Sequence, residues 1–154
     1  MKERPCALIS ACLLGVACRY DGCAMPARGL EALMDRLYWI PVCPEQLGGL
    51  PTPRPPAERL GDRVITRDGA DVSAAFSRGA DEAVRLAGLF GARYALLKAR
   101  SPSCGSGEIY DGSFSGRTVP GDGLTAQRLR SAGMQVFTEA QIDALLRALE
   151  VQES

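Results

Sequence analysis

Four short apolar stretches, each bounded by turn residues, predict the buried strands of this chain. They span residues 6–10, 39–42, 94–98 and 134–137. Short apolar runs between turn residues are typical of strands that are covered on both faces, as in a parallel sheet. The sequence therefore predicts a parallel sheet of about four strands.

In the segments between these strands, apolar residues recur at the spacing of a helix, which predicts helices there. Before the second strand, four such residues recur at helical spacing: Leu30, Leu33, Met34 and Leu37. They predict one amphipathic helix. A long helix is predicted over about residues 73–90 with Gly91 placed to end it, and a shorter one ends at Gly133. Thr138 and Gln141 form a capping box that opens a terminal helix.

Strands that alternate with helices favour parallel pairing through right-handed crossovers, with helices on both faces of the sheet. We therefore expect an α/β protein with a three-layer Rossmann-like fold and long loops at the carboxyl ends of the strands. No G-x-G-x-x-G sequence follows the first strand, so a dinucleotide site lacks its fingerprint. The 154 residues predict a single domain over residues 1–154.

Three long connections are predicted at one edge of the sheet. The first covers residues 11–27, and the second opens at Cys43 and contains so many glycines and prolines that we expect no regular structure. Within the second, residues 64–66 and 70–72 predict a small hairpin around a glycine-containing turn. The third, between the third strand and Leu124, is rich in glycine and serine and too polar to be core. Connections of this length are typical of functional loops.

Three cysteines follow three of the predicted strands: Cys12, Cys43 and Cys104. Open α/β sheets bind ligands outside the carboxyl edge, where these thiols are expected to converge. Three interpretations stay open at this point. The thiols are small buried hydrophobic groups, or zinc ligands completed by Glu45, or ligands of an iron–sulfur cluster that leave one iron open to a substrate.

The composition narrows the classes of function. The chain has six cysteines and no histidine, and its 18 basic and 18 acidic residues give a formal net charge of zero. This balance argues against duplex nucleic acid as a partner. No stretch approaches the roughly 20 apolar residues that cross a membrane, and the absence of an export signal favours a reducing cytoplasm. We assign Cys6 to packing and interpret Cys18 and Cys23 as secondary thiols, with a disulfide between two loop thiols as the alternative.

Six ordered motifs cover nearly the whole chain. They are Ser10-Ala11-Cys12-Leu13-Leu14-Gly15, Cys18-Arg19-Tyr20-Asp21-Gly22, Cys43-Pro44-Glu45, Gly69-Ala70-Asp71-Val72-Ser73, Ser101-Pro102-Ser103-Cys104-Gly105 and Ile109-Tyr110-Asp111-Gly112-Ser113-Phe114-Ser115-Gly116. The set resembles the family long catalogued as a bacterial domain of unknown function that includes the thiouracil desulfidases. The resemblance implies a [4Fe-4S] cluster held by Cys12, Cys43 and Cys104, with the fourth iron free for the sulfur of a thiolated base. It also maps the functional glutamate and serine of the family onto Glu45 and Ser101.

The implied activity is non-redox removal of sulfur from a thiouracil-like base, nucleoside or nucleotide. The open iron takes the sulfur, and Glu45, two residues beyond Cys43, activates the water. Further candidates for substrate binding complete the pocket: Ser103, Lys98, Arg19, Tyr20 and Tyr110. The start of the helix near Thr125 either receives a phosphate or is capped by its own chain. The alternative function is a non-catalytic cluster-binding or zinc-binding sensor module.

Overall fold

The computed structural model describes residues 4–153, which form eight β-strands and five α-helices. The strands are β1 (Cys6–Ser10), β2 (Tyr38–Val42), β3 (Ala57–Leu60), β4 (Arg63–Thr66), β5 (Tyr94–Leu97), β6 (Glu108–Tyr110), β7 (Thr118–Pro120) and β8 (Gln135–Thr138). The helices are α1 (Glu31–Met34), α2 (Pro44–Leu47), α3 (Ser73–Phe90), α4 (Leu124–Ser131) and α5 (Ile142–Glu153). Short 3₁₀ turns lie at Ala11–Leu14 and Glu139–Gln141.

The four predicted strands form one parallel sheet in the order β2-β1-β5-β8. Every residue of β5 is buried, as expected for a central strand that is covered on both faces. The predicted parallel sheet is therefore confirmed. Among residues 4–153, no helix is both long enough and apolar enough to cross a membrane.

Helices cover both faces of this sheet. Ala7 and Ile9 of β1 share one core with residues of α1 and α5, whereas the intervening Leu8 shares a second core with residues of α3 and α4. Alternate side chains of a strand point to opposite faces of its sheet, so these two cores lie on opposite sides. The predicted three-layer α/β arrangement is confirmed.

The first predicted helix is much shorter than its apolar pattern indicates. Only Glu31–Met34 is helical, and Met34 is 42% exposed, although Leu30, Leu33 and Leu37 are all buried. The chain must reach the start of β2 at Tyr38, which leaves room for little more than one turn. Short helices have little stability of their own, so turns place these leucines in the core instead.

The second and third connections contain regular structure that the sequence did not predict. Pro44 occupies the first position of α2, where its missing N–H is no loss. The partner of β4 is β3, whereas the predicted partner, residues 70–72, contributes only an isolated bridge between Ile65 and Asp71. The sequence of β3 is half polar and follows a run of prolines, so no strand was predicted there. The third connection contains the β6–β7 hairpin, with Ile109 buried.

Helix α2 packs directly on the backbone of α3. A Cβ atom added at Gly79 would lie 1.8 Å from the carbonyl oxygen of Pro44, and one added at Gly48 would lie 2.0 Å from that of Ala75. Neither position has room for a larger residue. The contact fixes α2 and therefore the position of Glu45 in its first turn.

Candidate metal centre and active site

A pocket of about 640 Å³ lies at the carboxyl edge of the parallel sheet. Residues at the carboxyl ends of all four strands line it, and its volume is in the range of about 300–1,000 Å³ that is typical of small-molecule sites. All ten site residues proposed from the sequence line this pocket: Cys12, Arg19, Tyr20, Cys43, Glu45, Lys98, Ser101, Ser103, Cys104 and Tyr110.

The three strand-end thiols reach the pocket from three separate segments. Cys12 lies in the 3₁₀ turn after β1, Cys43 lies between β2 and α2, and Cys104 lies in the turn that follows β5. Cys12 and Cys104 are buried, Cys43 is partly buried, and all three are free thiols. The proximity of Cys43 contributes to the raised pKa of both Cys12 and Cys104, so Cys43 lies within electrostatic reach of each of them.

Burial of Cys12 and Cys104 raises the pKa of each of these two thiols. Burial raises the pKa of Cys12 to about 11, although the nearby Lys98 ammonium acts in the opposite direction. Burial also raises the pKa of Cys104 to about 12, against hydrogen bonds from Ser10 and Ser103. A bound metal supplies the positive charge that a thiolate needs in such a place.

The arrangement of the three pocket thiols distinguishes a site for a single metal ion from a site for an iron–sulfur cluster. Within residues 4–153, no three cysteine, aspartate or glutamate side chains surround a point that would hold a single metal ion. The thiolates of an iron–sulfur cluster bind different irons and are therefore spread more widely than the ligands of one zinc ion. Three thiols that line one pocket, two of them buried and one partly buried, in a chain without histidine, fit such a cluster.

Cys18 is a fourth thiol in the same pocket. It is buried, and the Cys43 thiol donates to its carbonyl oxygen at 3.6 Å. Burial, followed by the proximity of Cys43, raises the pKa of Cys18 to about 12. Cys6, within β1, and the exposed Cys23 do not line the pocket.

Both carboxylate oxygens of Glu45 have partners. Its Oε1 accepts a hydrogen bond from Nε of Arg54 at 3.0 Å, and its Oε2 accepts one from Oγ of Ser103 at 2.9 Å. The Glu45 side chain is 16% exposed and the Arg54 side chain 4%, so this ion pair is largely shielded from water. The carboxylate is held in one orientation beside the thiols.

Ser101 and Ser103 have different surroundings. Oγ of Ser101 accepts hydrogen bonds from the backbone N–H groups of Ser103 and Cys104, both at 3.1 Å, and so shapes the turn that presents Cys104. Ser103 is 2% exposed, and its hydroxyl lies 2.9 Å from that of Ser101. Ser101 therefore reaches Glu45 through Ser103.

Comparison with known proteins places the chain in a family. The sequence profile of the 2-thiouracil desulfurase family matches residues 7–141. The chain belongs to this family. It is 38% identical to the uncharacterized protein YbbK of Bacillus subtilis (strain 168), a match that covers 90% of this chain and 99% of YbbK. It also resembles the solved structure of the [4Fe-4S]-dependent thiouracil desulfidase TudS, with 49% identity and a TM-score of 0.90 over 96% of this chain and 99% of TudS.

In this member of the family, Lys98 is already paired. Its Nζ lies 2.9 Å from Oε2 of Glu139, whose other oxygen accepts a hydrogen bond from the Ala99 N–H at 2.6 Å. Glu139 follows β8 directly, so the strand-end rule that located the three thiols also applies to it. Glu139 was not predicted, although it lies at the carboxyl end of the fourth strand of the sheet.

Arg19, Tyr20 and Tyr110 lie at the rim of the pocket. The Arg19 guanidinium lies 5.7 Å from the centre of the Tyr20 ring and forms an ion pair with Asp21 at 3.3 Å. Tyr20 is 41% exposed, and Tyr110 ends β6. All three side chains line the pocket.

The start of α4 anchors the Cys104 turn. The backbone N–H of Leu124 donates to the carbonyl oxygen of Pro102, and that of Thr125 donates to Ser103, both at 2.9 Å. These amides are therefore not available to a phosphate. The structure supports the alternative interpretation, in which the start of α4 is capped by its own chain.

Glu58 holds the third predicted connection against one side of the pocket, and this role of Glu58 was not predicted. Oε1 of Glu58 accepts hydrogen bonds from the N–H groups of Gly112 at 3.0 Å and Phe114 at 3.1 Å. The Arg67 guanidinium lies 5.5 Å from the centre of the Phe114 ring. Arg54 was also missed, because it lies in a proline-rich segment without periodicity and its partner is Glu45, nine residues earlier.

Proposed function

We propose that this chain is a [4Fe-4S]-dependent desulfidase that converts the C=S group of a thiolated nucleobase, nucleoside or nucleotide into C=O. The observation that carries the proposal is the pocket in which Cys12, Cys43 and Cys104 meet the fixed carboxylate of Glu45. The similarity to TudS, whose name gives both the cluster and thiouracil, supports the same assignment. The six free cysteines are in keeping with a reducing cytoplasm.

Cys12, Cys43 and Cys104 are the ligands of the cluster in this proposal. When bound, a cluster with three protein ligands supplies an open iron, which is a Lewis acid with affinity for soft sulfur. The reaction consumes one water and one C=S group and gives C=O and hydrogen sulfide, with no net transfer of electrons.

Glu45 is the general base for the attacking water. Arg54 and Ser103 hold its two oxygens, so the carboxylate does not need to reorient before it accepts a proton. The Ser103 hydroxyl donates to Oε2 at 2.9 Å and lies 2.9 Å from the Ser101 hydroxyl, so a proton taken up at Oε2 can pass through Ser103 to Ser101 once both hydroxyls have rotated. In this scheme Ser103 relays the proton, and Ser101 is the group that faces the substrate.

The substrate class follows from the pocket walls. A volume of about 640 Å³ accommodates a pyrimidine ring with room for a sugar. Arg19, Tyr20 and Tyr110 supply a guanidinium and two ring faces to the pocket, and Lys98 lines it beside Glu139. A flat polar ring such as a thiouracil-like base suits these walls.

The test is anaerobic reconstitution followed by two measurements. We expect about four iron and four acid-labile sulfide atoms per chain, and release of hydrogen sulfide from 2-thiouracil or its nucleoside or nucleotide. Stoichiometric zinc without iron would contradict the cluster assignment. A loaded protein that binds a thiolated base but releases no sulfide would instead support a non-catalytic cluster-binding sensor module.

A further inference from the structure

Arg54 is a buried arginine whose whole guanidinium is engaged. It is 8% exposed and lies in the proline-rich segment between α2 and β3. Besides the bond from Nε to Glu45, Nη1 donates to the Pro51 carbonyl oxygen at 3.2 Å and to Oγ1 of Thr52 at 3.0 Å. Nη2 donates to the carbonyl oxygen of Cys18 at 3.0 Å. An arginine with this many fixed partners has little freedom to move.

The guanidinium joins parts of the pocket that come from different segments. Nη2 lies 3.9 Å from Sγ of Cys43, while Nε of the same plane holds Oε1 of Glu45. The backbone N–H of Arg54 also donates to the carbonyl oxygen of Tyr20 at 2.8 Å, which ties its segment to the first loop. One planar cation therefore contacts a proposed cluster ligand and the proposed general base together.

Building on the proposed function, we propose that Arg54 is a positioning residue with two effects. It fixes Oε1 of Glu45 so that Oε2 keeps one direction, and it keeps a permanent positive charge beside Sγ of Cys43.

The shape of the side chain explains why arginine is required for both. A guanidinium has donors in a rigid plane, so it can serve a carboxylate and a sulfur on neighbouring edges. A lysine carries the same charge on a single nitrogen and cannot hold both partners in this geometry. Charge and hydrogen bonds near the ligand sulfurs help to set the reduction potential of a cluster, so the second effect has a readout that does not depend on turnover.

The experiment compares Arg54→Met, Arg54→Lys and Arg128→Met in reconstituted protein. Arg128 pairs with Asp81 on the α3–α4 side, away from the pocket, and is the matched control for loss of an arginine ion pair. Iron content is measured first, so that only fully loaded variants are compared. We expect Arg54→Met to lower kcat about 10- to 100-fold with a change in KM of less than about threefold, because a mispositioned base affects the chemical step. We expect its cluster potential to become more negative.

The conservative variant and a double variant separate positioning from general damage. Arg54→Lys should restore the potential but not kcat, since it keeps the charge and loses the planar fork. In the Glu45→Gln background, Arg54→Met should cost less than about threefold further, because its effect passes through Glu45.

Two results would overturn the inference. A potential in loaded Arg54→Met equal to that of wild type would refute the charge contact with Cys43, and a full independent loss in the double variant would refute the positioning of Glu45. If loaded wild-type protein released no sulfide, the proposed function would be refuted. The reduction potential of the cluster in Arg54→Met would then still test the contact of Arg54 with Cys43.

Discussion

At the scale of single residues, the proposed chemistry depends on the Glu45 carboxylate, whose two oxygens are held by Arg54 and Ser103. Glu45→Gln keeps the size of the side chain but removes its basicity. We expect this variant to keep its cluster and its affinity for substrate and to lose turnover by about 10²–10⁴-fold, the usual contribution of a positioned base. The measurement is kcat per loaded iron centre. Turnover near the wild-type rate would move the base elsewhere, and Lys98 would be the first residue to examine.

In the proposed assignment, three of the four pocket thiols are cluster ligands and the fourth, Cys18, is a neighbour. Replacement of Cys12, Cys43 or Cys104 by serine should abolish retention of iron, since serine is a poorer ligand for iron than a thiolate. Cys18→Ser should retain it. Cys18 lies in the same pocket, against Cys43, so it is a close control for the loss of a buried thiol. The measurement is iron and sulfide content after anaerobic reconstitution. If Cys18→Ser lost its iron while Cys12→Ser kept it, Cys18 rather than Cys12 would be the ligand.

Sequence reasoning located side chains whose position follows from a strand and missed those whose position follows from another side chain. Cys12, Cys43 and Cys104 were expected together because parallel strands bring their carboxyl ends to one edge. Arg54 belongs to no strand or helix, and only its hydrogen bonds place it beside Glu45. Such contacts depend on how loops pack, and no periodicity in the chain records them.

At the scale of elements, α2 and α3 meet through glycine. Gly79→Ala would place a methyl group into the Pro44 carbonyl and force α2, which carries Glu45, away from α3. We expect a loss of about 1–3 kcal/mol in the free energy of unfolding, as in other overpacked sites, together with lower turnover. Urea denaturation measures the first effect and sulfide release the second.

The same helix supplies the control. A Cβ atom added at the exposed Gly88 of α3 meets no atom within 4 Å. Gly88→Ala should therefore stabilise the protein by about 0.5–1 kcal/mol through the better helix propensity of alanine. Equal stability changes in the two variants would show that the close contact of α2 with α3 has no energetic importance.

Elements with a strong pattern of their own were predictable, and elements formed by context were not. Helix α3 has 18 residues with an apolar face and ends at Gly91, which adopts φ 64°, so its pattern alone defines it. Helices α1 and α2 have four residues each, and within residues 4–153 β3 pairs with β4 alone. Segments this short gain their stability from packing rather than from intrinsic propensity, so they could not be predicted from local sequence patterns.

At the scale of the whole molecule, the proposed ligands come from segments far apart in the chain, so a bound cluster should stabilise the fold. A group that binds only the folded state adds about 2.7 kcal/mol at a hundredfold excess over its Kd. For a domain of this size, that corresponds to a rise in Tm of roughly 5–10 °C. Differential scanning calorimetry under anaerobic conditions compares the two forms, with Cys43→Ser as the variant that should show no rise. Equal Tm values for loaded and unloaded wild-type protein would contradict a cluster that joins these segments.

The strand order has a consequence for how the protein is made. The ribosome releases Cys12 and Cys43 first, on segments that form adjacent strands, and Cys104 follows about 60 residues later. At bacterial rates of synthesis the delay is roughly 3–12 s. During that interval a nascent chain exposes two neighbouring thiols without the third, an arrangement open to oxidation or to capture of a stray metal. In the proposed assignment, iron that is delivered before Cys104 leaves the ribosome would find only two of its three ligands.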